Sequence, residues 1–228
     1  MIARALLPIA AAGVLALAGC GTPPVEAKEQ HLRAPVPERT ATEPQGLQTA
    51  VFAGGCFWGV EAVFSHVKGV KSVVAGYHGG NAATANYDAV NSGVTRHAEA
   101  VRIEYDPSVV RYDELLQILF SVVADPTLHN RQGPDTGSEY RAALVPLTDE
   151  QRAVAAAYLE QMQVSGVWND PIVTEIEDYR EFFVAEEKHQ DFALNNPDHS
   201  YIVYWDKPKI EALREMYPDH YRAEFVPG

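Results

Sequence analysis

The chain has 228 residues, enough for one domain of ordinary size, and 46% of them are hydrophobic, with 10% aromatic. Such a composition supports an ordinary hydrophobic core and excludes a chain that is disordered throughout. The formal net charge of −13 argues against nucleic acid and against anionic membrane surfaces as binding partners.

The N-terminus has the pattern of an export signal. Arg4 supplies a short positive region, and the apolar run over residues 5–18 is too short to span a bilayer as a stable helix. The run ends in "LAGC", which resembles the lipobox of bacterial lipoproteins and makes Cys20 the lipidated residue. We therefore predict a signal peptide over residues 1–19 and an exported lipoprotein anchored at the periplasmic face of the cell envelope. The alternative is an ordinary secretory signal with an incidental cysteine.

The segment that follows differs in composition from the rest of the chain. Residues 20–46 are rich in proline, threonine and glutamate and contain almost no large apolar side chains, so they cannot bury a core of their own. We predict a semi-extended linker here, joining the anchor to a domain over residues 47–228.

Within this domain, strand-like and helix-like patterns alternate along the chain. The strand-like segments are 47–53, 70–77, 98–105, 140–145 and 172–177. The helix-like segments are 57–67, 112–123, 148–162, 185–194 and 207–216. Strands and helices sharing one core predict an α+β fold.

A cysteine stands at the first strand-to-helix turn, in "VFAGGCFWGVEAVF". Gly54 and Gly55 allow tight or positive-φ backbone geometry there, and the start of a helix favours the thiolate of Cys56. With Cys20 assigned to lipid, Cys56 has no disulfide partner within the chain. It is therefore either a reactive nucleophile or a small buried hydrophobe.

The stretch "HAEAVRIEY" places a carboxyl group on an apolar strand face. Alternation puts Glu99 on the same face as Val101, Ile103 and Tyr105. Burial there would raise the pKa of Glu99 and make it a proton donor near neutral pH. The alternative is a strand-end residue that reaches solvent or pairs with Arg96.

A long polar loop, "ADPTLHNRQGPDTGSEYRA", separates a helix from a strand, which is where functional loops tend to occur. It offers Asp135, Tyr140 and Arg141, and "TANYDAV" offers Tyr87, although each alone is ordinary turn or strand material. The histidines form no metal-binding pattern, and the chain has no phosphate loop, dinucleotide fingerprint or GxSxG elbow. We predict no metal site and no bound cofactor.

Three ordered motifs carry a resemblance to a known family. "GCFWGVE", "RHAEAVRI" and "RQGPDTGSEYR" resemble the peptide methionine sulfoxide reductase A family, and the similarity extends from about residue 47 to the segment "HSYIVYWDKPKI". The resemblance implies a two-layer α/β sandwich with a mixed sheet, of ferredoxin-like type. It also implies thiol-dependent reduction of methionine S-sulfoxide, free or in proteins, for the repair of oxidised proteins.

The resemblance further implies catalytic roles. The Cys56 thiolate would attack the sulfoxide sulfur while Glu99 protonates the sulfoxide oxygen, leaving methionine and a Cys56 sulfenic acid. Tyr87 and Tyr140 would donate hydrogen bonds to that oxygen as charge develops on it.

Substrate binding is assigned in the same way. Phe57 and Trp58 would form an apolar wall for the S-methyl group, and Asp135 would position the methionine backbone. Adjacent helical residues point about 100° apart, so the two rings cannot both be the buried face of one helix.

The chain departs from the family in ways that bear on turnover. Gly59 stands where relatives often carry a second cysteine, the C-terminal tail has none, and Arg96 and Ala124 replace the usual glycine and histidine. An external reductant, a small thiol or a thioredoxin-like protein, would therefore regenerate Cys56. The expected partners are proteins that contain methionine sulfoxide, and the expected state is a monomer.

Two other function classes compete with this interpretation. One is a lipid-anchored module that uses the same fold to bind peptides without turnover. The other is a cysteine hydrolase, which is weak because no His–Asn or His–Asp pair is placed by the sequence as base and orienter.

Overall fold

The computed structural model describes residues 31–228, so the predicted signal peptide and Cys20 lie outside the described residues. The strands are β1 (Gln48–Gly54), β2 (Val70–His78), β3 (Ala98–Tyr105), β4 (Arg131–Gln132), β5 (Asp135–Thr136), β6 (Ala142–Val145), β7 (Glu175–Ile176) and β8 (Phe182–Val184). Six of them form one mixed sheet in the order β7-β6-β1-β3-β2-β8, and β4 and β5 form a separate hairpin. Only the β6–β7 pair is parallel among these described strands.

The helices are α1 (Phe57–Ser65), α2 (Tyr87–Asn91), α3 (Tyr112–Ile118), α4 (Asp149–Val164), α5 (Phe192–Asn195) and α6 (Lys207–Met216). A π-helical turn, Leu119–Val123, continues α3, and a second, Ile202–Asp206, leads into α6. Short 3₁₀ turns lie at Ala82–Thr84, Ser138–Tyr140 and Glu187–His189. Within residues 31–228 no helix is long and apolar enough to cross a membrane.

The main core lies between one face of the sheet and helices α1, α3 and α4. The ring of Phe52 on β1 meets Phe64 of α1 at 5.7 Å and Tyr112 of α3 at 5.6 Å between centroids. The opposite face carries a smaller cluster of buried residues, mostly valine and alanine, that includes Phe182 of β8. This arrangement confirms the predicted α+β fold with a mixed sheet.

Most of the predicted elements are present. β3 and α6 have the predicted bounds, and α4 begins as expected with Thr148 as its N-cap, whose hydroxyl accepts the Gln151 N–H at 3.1 Å. The predicted strand over 172–177 is wrong in extent, because only Glu175–Ile176 pairs with β6.

The predicted helix over 185–194 is also wrong. It consists of the 3₁₀ turn Glu187–His189 and the short α5, separated by Asp191, whose φ of +52° lies outside the right-handed helical region. The sequence analysis missed β8 and α2, which are too short to show a period.

Residues 31–46, which we call the N-terminal strap, are extended but lie against the domain. Ala34 is 1% exposed, its N–H donates to Ser121 Oγ at 2.9 Å, and its carbonyl accepts Gln117 Nε2 at 3.0 Å. Farther along, the Glu43 carboxylate accepts the Tyr112 N–H at 3.0 Å. The described part of the predicted linker is thus packed and hydrogen-bonded, which its composition did not indicate.

The C-terminal tail, residues 217–228, runs along the C-terminal end of α1. The Arg222 N–H donates to His66 O at 2.9 Å and the Val226 N–H donates to Ser65 O at 3.1 Å. The Gly228 N–H reaches Asp191 Oδ1 at 3.0 Å. These contacts fix the tail to the C-terminal end of α1 and to the turn that contains Asp191.

Candidate active site

The turn between β1 and α1 places Cys56 at the helix start. Gly55 has a φ of +92°, and a Cβ atom there would lie 2.6 Å from Cβ of Gln132, so both the backbone geometry and the space require glycine. Gln132 is itself fixed by two hydrogen bonds of 2.9 Å to the backbone of Asp125. Cys56 follows as the N-cap of α1 and is half-buried.

Glu99 lies directly beside Cys56. It is 1% exposed, as the strand alternation predicted, and the Phe57 N–H donates to its Oε2 at 2.9 Å. Burial raises the pKa of Glu99 from its ordinary 4.5 to about 8, although hydrogen bonds from the Phe57 N–H and the Cys56 side chain act in the opposite direction. At neutral pH this carboxyl group is therefore mostly protonated and able to donate.

The prediction that the helix start makes Cys56 a thiolate is not supported in the resting protein. Burial raises the pKa of the thiol well above its ordinary value, and the nearby carboxyl groups of Glu99, Asp206 and Asp135 act in the same direction. The Trp58 backbone N–H at the helix start lowers the pKa, but less strongly. Desolvation thus outweighs the helix dipole, and the thiol is neutral at rest.

Tyr87 and Tyr140 both lie in the electrostatic neighbourhood of Cys56 and Glu99. Burial and the Glu99 charge raise the pKa of Tyr87 to about 12, and burial and Glu99 also raise the pKa of Tyr140. The Tyr140 hydroxyl donates to Asn91 Oδ1 at 3.0 Å. Both phenols therefore remain protonated donors at any physiological pH.

Asp135, at the start of β5, is joined to a residue that the sequence analysis missed. Its Oδ2 accepts the hydroxyl of Tyr201, and burial together with the charges of Cys56 and Asp135 raises the pKa of that phenol. Tyr201 lies in the segment "HSYIVYWDKPKI", which carried the resemblance but gave no reason to select this ring.

The two aromatic residues after Cys56 have different surroundings. The Trp58 indole is half-buried and stacks on Phe192 at 3.7 Å between centroids, with Tyr201 edge-on at 5.7 Å. Phe57 is fully buried against Tyr77 and His189. The divergence expected for adjacent helical residues is present, and of the two rings Trp58 is the one exposed beside Cys56.

Gly59, in the first turn of α1, packs directly against Asp206. A Cβ atom on Gly59 would lie 2.4 Å from Asp206 Oδ1, closer than any real contact. Asp206 is 1% exposed, so its carboxyl group cannot simply swing into solvent. Position 59 therefore accommodates only glycine without a shift of its neighbours.

Arg141, Arg96 and Ala124 make contacts that stabilise the fold around the site. Arg141 forms a forked ion pair with Glu177, with Nε–Oε1 of 2.7 Å and Nη2–Oε2 of 3.2 Å. The Arg96 carbonyl accepts a hydrogen bond from Arg141 at 3.3 Å, and Ala124 is buried behind Gly54. Within residues 31–228 no group of histidine, cysteine or acidic side chains is placed to hold a metal ion.

A thiol can take an oxygen atom from a substrate only if a proton reaches that oxygen, and here the protonated carboxyl group lies beside the sulfur. This geometry is typical of a thiol oxidoreductase, and comparison with known proteins identifies the family. The family model "Peptide methionine sulfoxide reductase" matches residues 48–221. The chain belongs to this family, in its A type.

The similar proteins cover most of the chain. "Peptide methionine sulfoxide reductase MsrA 2" of Synechocystis sp. is 50% identical over 184 residues, which are 81% of this chain and 86% of the relative. The protein of the same name from Mesorhizobium japonicum is 49% identical over 79% of this chain and 93% of its own length. Mxr1 of Saccharomyces cerevisiae in reduced form superposes with a TM-score of 0.61 and 29% identity, covering 82% of this chain and 98% of that one.

Proposed function

We propose that the chain reduces methionine S-sulfoxide, free or in proteins, to methionine by transferring the oxygen atom to the sulfur of Cys56. The observation that carries this proposal is the contact between the half-buried Cys56 and the buried Glu99, which places the nucleophile and the proton donor side by side at the start of α1. Membership of the reductase family and the names of its relatives support the choice of substrate.

The reaction balances with these two groups. The Cys56 sulfur attacks the sulfoxide sulfur, and Glu99 delivers its proton to the sulfoxide oxygen. The thiol proton passes to the Glu99 carboxylate, and the hydroxyl group moves to Cys56, so that a thiol and a sulfoxide give a sulfenic acid and a thioether. The pKa of about 8 suits Glu99 to this exchange, because the carboxyl group can both donate and accept near neutral pH.

The surrounding side chains would orient the substrate. Tyr87 and Tyr140 would donate hydrogen bonds to the sulfoxide oxygen, which requires Tyr140 to turn from Asn91. The Trp58 indole would hold the S-methyl group. Asp135, fixed by the Tyr201 hydroxyl, would accept the backbone N–H of the bound methionine. Phe57 would support the site from behind with its ring.

Two features indicate that an external thiol must regenerate Cys56. Gly59 has no room for a side chain, and the tail, which contains no cysteine, is hydrogen-bonded to Ser65, His66 and Asp191. Two equivalents of a small thiol, or one thioredoxin-like dithiol, would convert the sulfenic acid to the thiol and water and leave the reductant as a disulfide.

The location and the state of the protein belong to the same proposal. The "LAGC" sequence supports lipidation at Cys20, which would anchor a monomeric enzyme at the periplasmic face of the envelope and give it oxidised envelope proteins as substrates. The measurement is the mass of the mature N-terminus isolated from membranes. A mature chain without acyl groups would contradict the anchor but not the activity.

A single turnover without reductant tests the chemistry. We expect one methionine per chain from the S-epimer, none from the R-epimer, and trapping of the Cys56 sulfenic acid by dimedone. Cys56→Ser should abolish turnover with dithiothreitol, and Cys20→Ser is the matched control that should retain it. Turnover in Cys56→Ser, or binding of the sulfoxide peptide by the wild-type protein with no methionine formed, would overturn the proposal. The second result would establish the non-catalytic peptide-binding module instead.

A further inference from the structure

One buried imidazole contacts three aromatic residues at or behind the site. Trp58 Nε1 donates to His189 Nδ1 at 3.3 Å, and the ring of Tyr87 stacks on His189 at 4.2 Å between centroids with an angle of 28°. Phe57 packs on the same imidazole at 5.5 Å. His189 is 5% exposed, and it lies in the segment "EEKHQDF", where the sequence analysis assigned it no role.

The hydrogen bond to Trp58 fixes the protonation of this ring. Because Nδ1 accepts, the proton must be on Nε2, and burial together with Lys188 lowers the pKa of His189 and keeps the ring neutral. Nε2 is buried without a hydrogen-bond partner among the described residues. The hydrogen bond to the indole is thus the only side-chain hydrogen bond of this ring among the described residues.

The neighbours of His189 hold it against the site. Glu186 accepts the Tyr87 N–H at 2.9 Å with one oxygen and the Tyr77 hydroxyl at 2.8 Å with the other. Gln190 makes two 3.0 Å hydrogen bonds to the backbone of Ala75 on β2. The turn that carries His189 is thus fixed to the sheet on one side and to α2 on the other.

We propose that His189 is a positioning residue, which fixes the Trp58 indole and the Tyr87 ring in the geometry that binds methionine sulfoxide. This inference rests on the proposed function, since it concerns the same site. His189 itself does not touch the reacting atoms. Its acceptor nitrogen determines the angle of the wall that holds the S-methyl group, so its loss should affect substrate binding more than the chemical step.

A matched pair of variants isolates the acceptor atom. His189→Asn places an amide oxygen close to the position of Nδ1, whereas His189→Leu has nearly the same shape and no acceptor. We expect KM for a methionine S-sulfoxide peptide to be about tenfold higher in H189L than in H189N, with kcat within about twofold, because one hydrogen bond is at stake. His66→Phe, which removes an imidazole at the opposite end of α1 from Cys56, is the control and should leave KM unchanged.

The same pair in a Trp58→Phe background separates positioning from packing. Phenylalanine has no N–H, so the difference in KM between H189N and H189L should disappear. Equal KM values in the wild-type background, or an undiminished difference in the Trp58→Phe background, would overturn the inference. If the pair fails to fold, His189→Phe, which keeps the ring stack, should show the tenfold rise, and an unchanged KM there would also overturn it. Lack of turnover in the wild-type protein would instead count against the proposed function.

Discussion

The backbone N–H of Phe57 donates to the Glu99 carboxyl group at 2.9 Å, so the residue that follows the nucleophile also holds the proton donor in place. This bond joins the start of α1 to the start of β3 through the centre of the site. The turn at Gly55, with its φ of +92°, brings the start of the helix to the strand face where this bond forms. Phe57 therefore contributes to the site through its main chain as well as its ring.

Glu99→Gln should be severely impaired as a catalyst. The amide keeps the size of the side chain and can still accept the Phe57 N–H, but it cannot donate a proton to the sulfoxide oxygen. We expect kcat to fall by about 10²- to 10⁴-fold, the usual contribution of a positioned acid. Glu104→Gln, an exposed position on the same strand, is the control that should leave kcat unchanged. A loss of less than about fivefold in E99Q would remove Glu99 from its proposed role.

The same substitution should stabilise the protein at higher pH. Glu99 holds its proton up to about pH 8 in the native state but only to about 4.5 when unfolded, so the native state binds more protons between these values. The free energy of unfolding therefore falls as pH rises through this window. We expect the free energy of unfolding of E99Q in urea to exceed that of the wild-type protein by about 4 kcal/mol at pH 8 and to match it at pH 4. A difference that does not change with pH would contradict this.

Gly59→Ala should destabilise the protein although alanine favours helices. The added Cβ would meet the Asp206 carboxyl group, and we expect a cost of about 1–3 kcal/mol, as for other overpacked positions. In an Asp206→Ala background the clash is gone, and the same change should stabilise by up to about 1 kcal/mol through helix propensity. Urea unfolding of the wild-type protein, the two single variants and the double variant measures the coupling between positions 59 and 206. Strictly additive effects would show that the two side chains do not meet.

The N-terminal strap should contribute to stability. Ala34 is buried, so Ala34→Leu should lower the free energy of unfolding by about 1–3 kcal/mol. Val36→Leu, two residues away at a position that is 76% exposed, is the matched control and should change it by less than about 0.5 kcal/mol. Equal effects of the two changes would mean that the strap is loose in solution.

A cysteine added at the end of the tail should not resolve the Cys56 sulfenic acid. Pro227 lies between Val226, whose N–H donates to Ser65 O, and Gly228, whose N–H donates to Asp191 Oδ1. Pro227→Cys should therefore still require external thiol after one turnover. Mass spectrometry of the tryptic digest after one turnover measures the linkage. A disulfide between Cys56 and the thiol introduced at position 227, formed faster than bimolecular reduction, would show that the tail leaves its observed position.

Regular patterns in the sequence predicted much of this structure. The alternation along β3 predicted the burial of Glu99, because the strand is long enough to show its repeat. The helix predicted near residues 207–216 is present as α6. The glycine pair predicted the turn that exposes Cys56, since few other residues adopt a φ near +92°.

The missed features depend on contacts between distant segments. His189 lies 131 positions after Trp58, and the strap is fixed by Ser121 and Asp113, so no local period could indicate either. The prediction of a lowered pKa for the Cys56 thiol was wrong for a related reason. The effect of the helix start depends on neighbouring residues, whereas the carboxyl groups of Glu99, Asp135 and Asp206 come from three other parts of the chain. The helix start alone lowers the pKa of the Cys56 thiol, whereas the complete site raises it.

The raised pKa of Cys56 has a consequence for survival under oxidative attack. The oxidants that damage methionine also attack thiolates, and they convert a sulfenic acid to sulfinic acid, which is not readily reversed. A sulfur that stays protonated until a sulfoxide binds reacts slowly with hydrogen peroxide, because the thiolate is the nucleophile. The desolvation of Cys56, together with the carboxyl groups around it, would therefore protect the repair enzyme from the stress that creates its substrate.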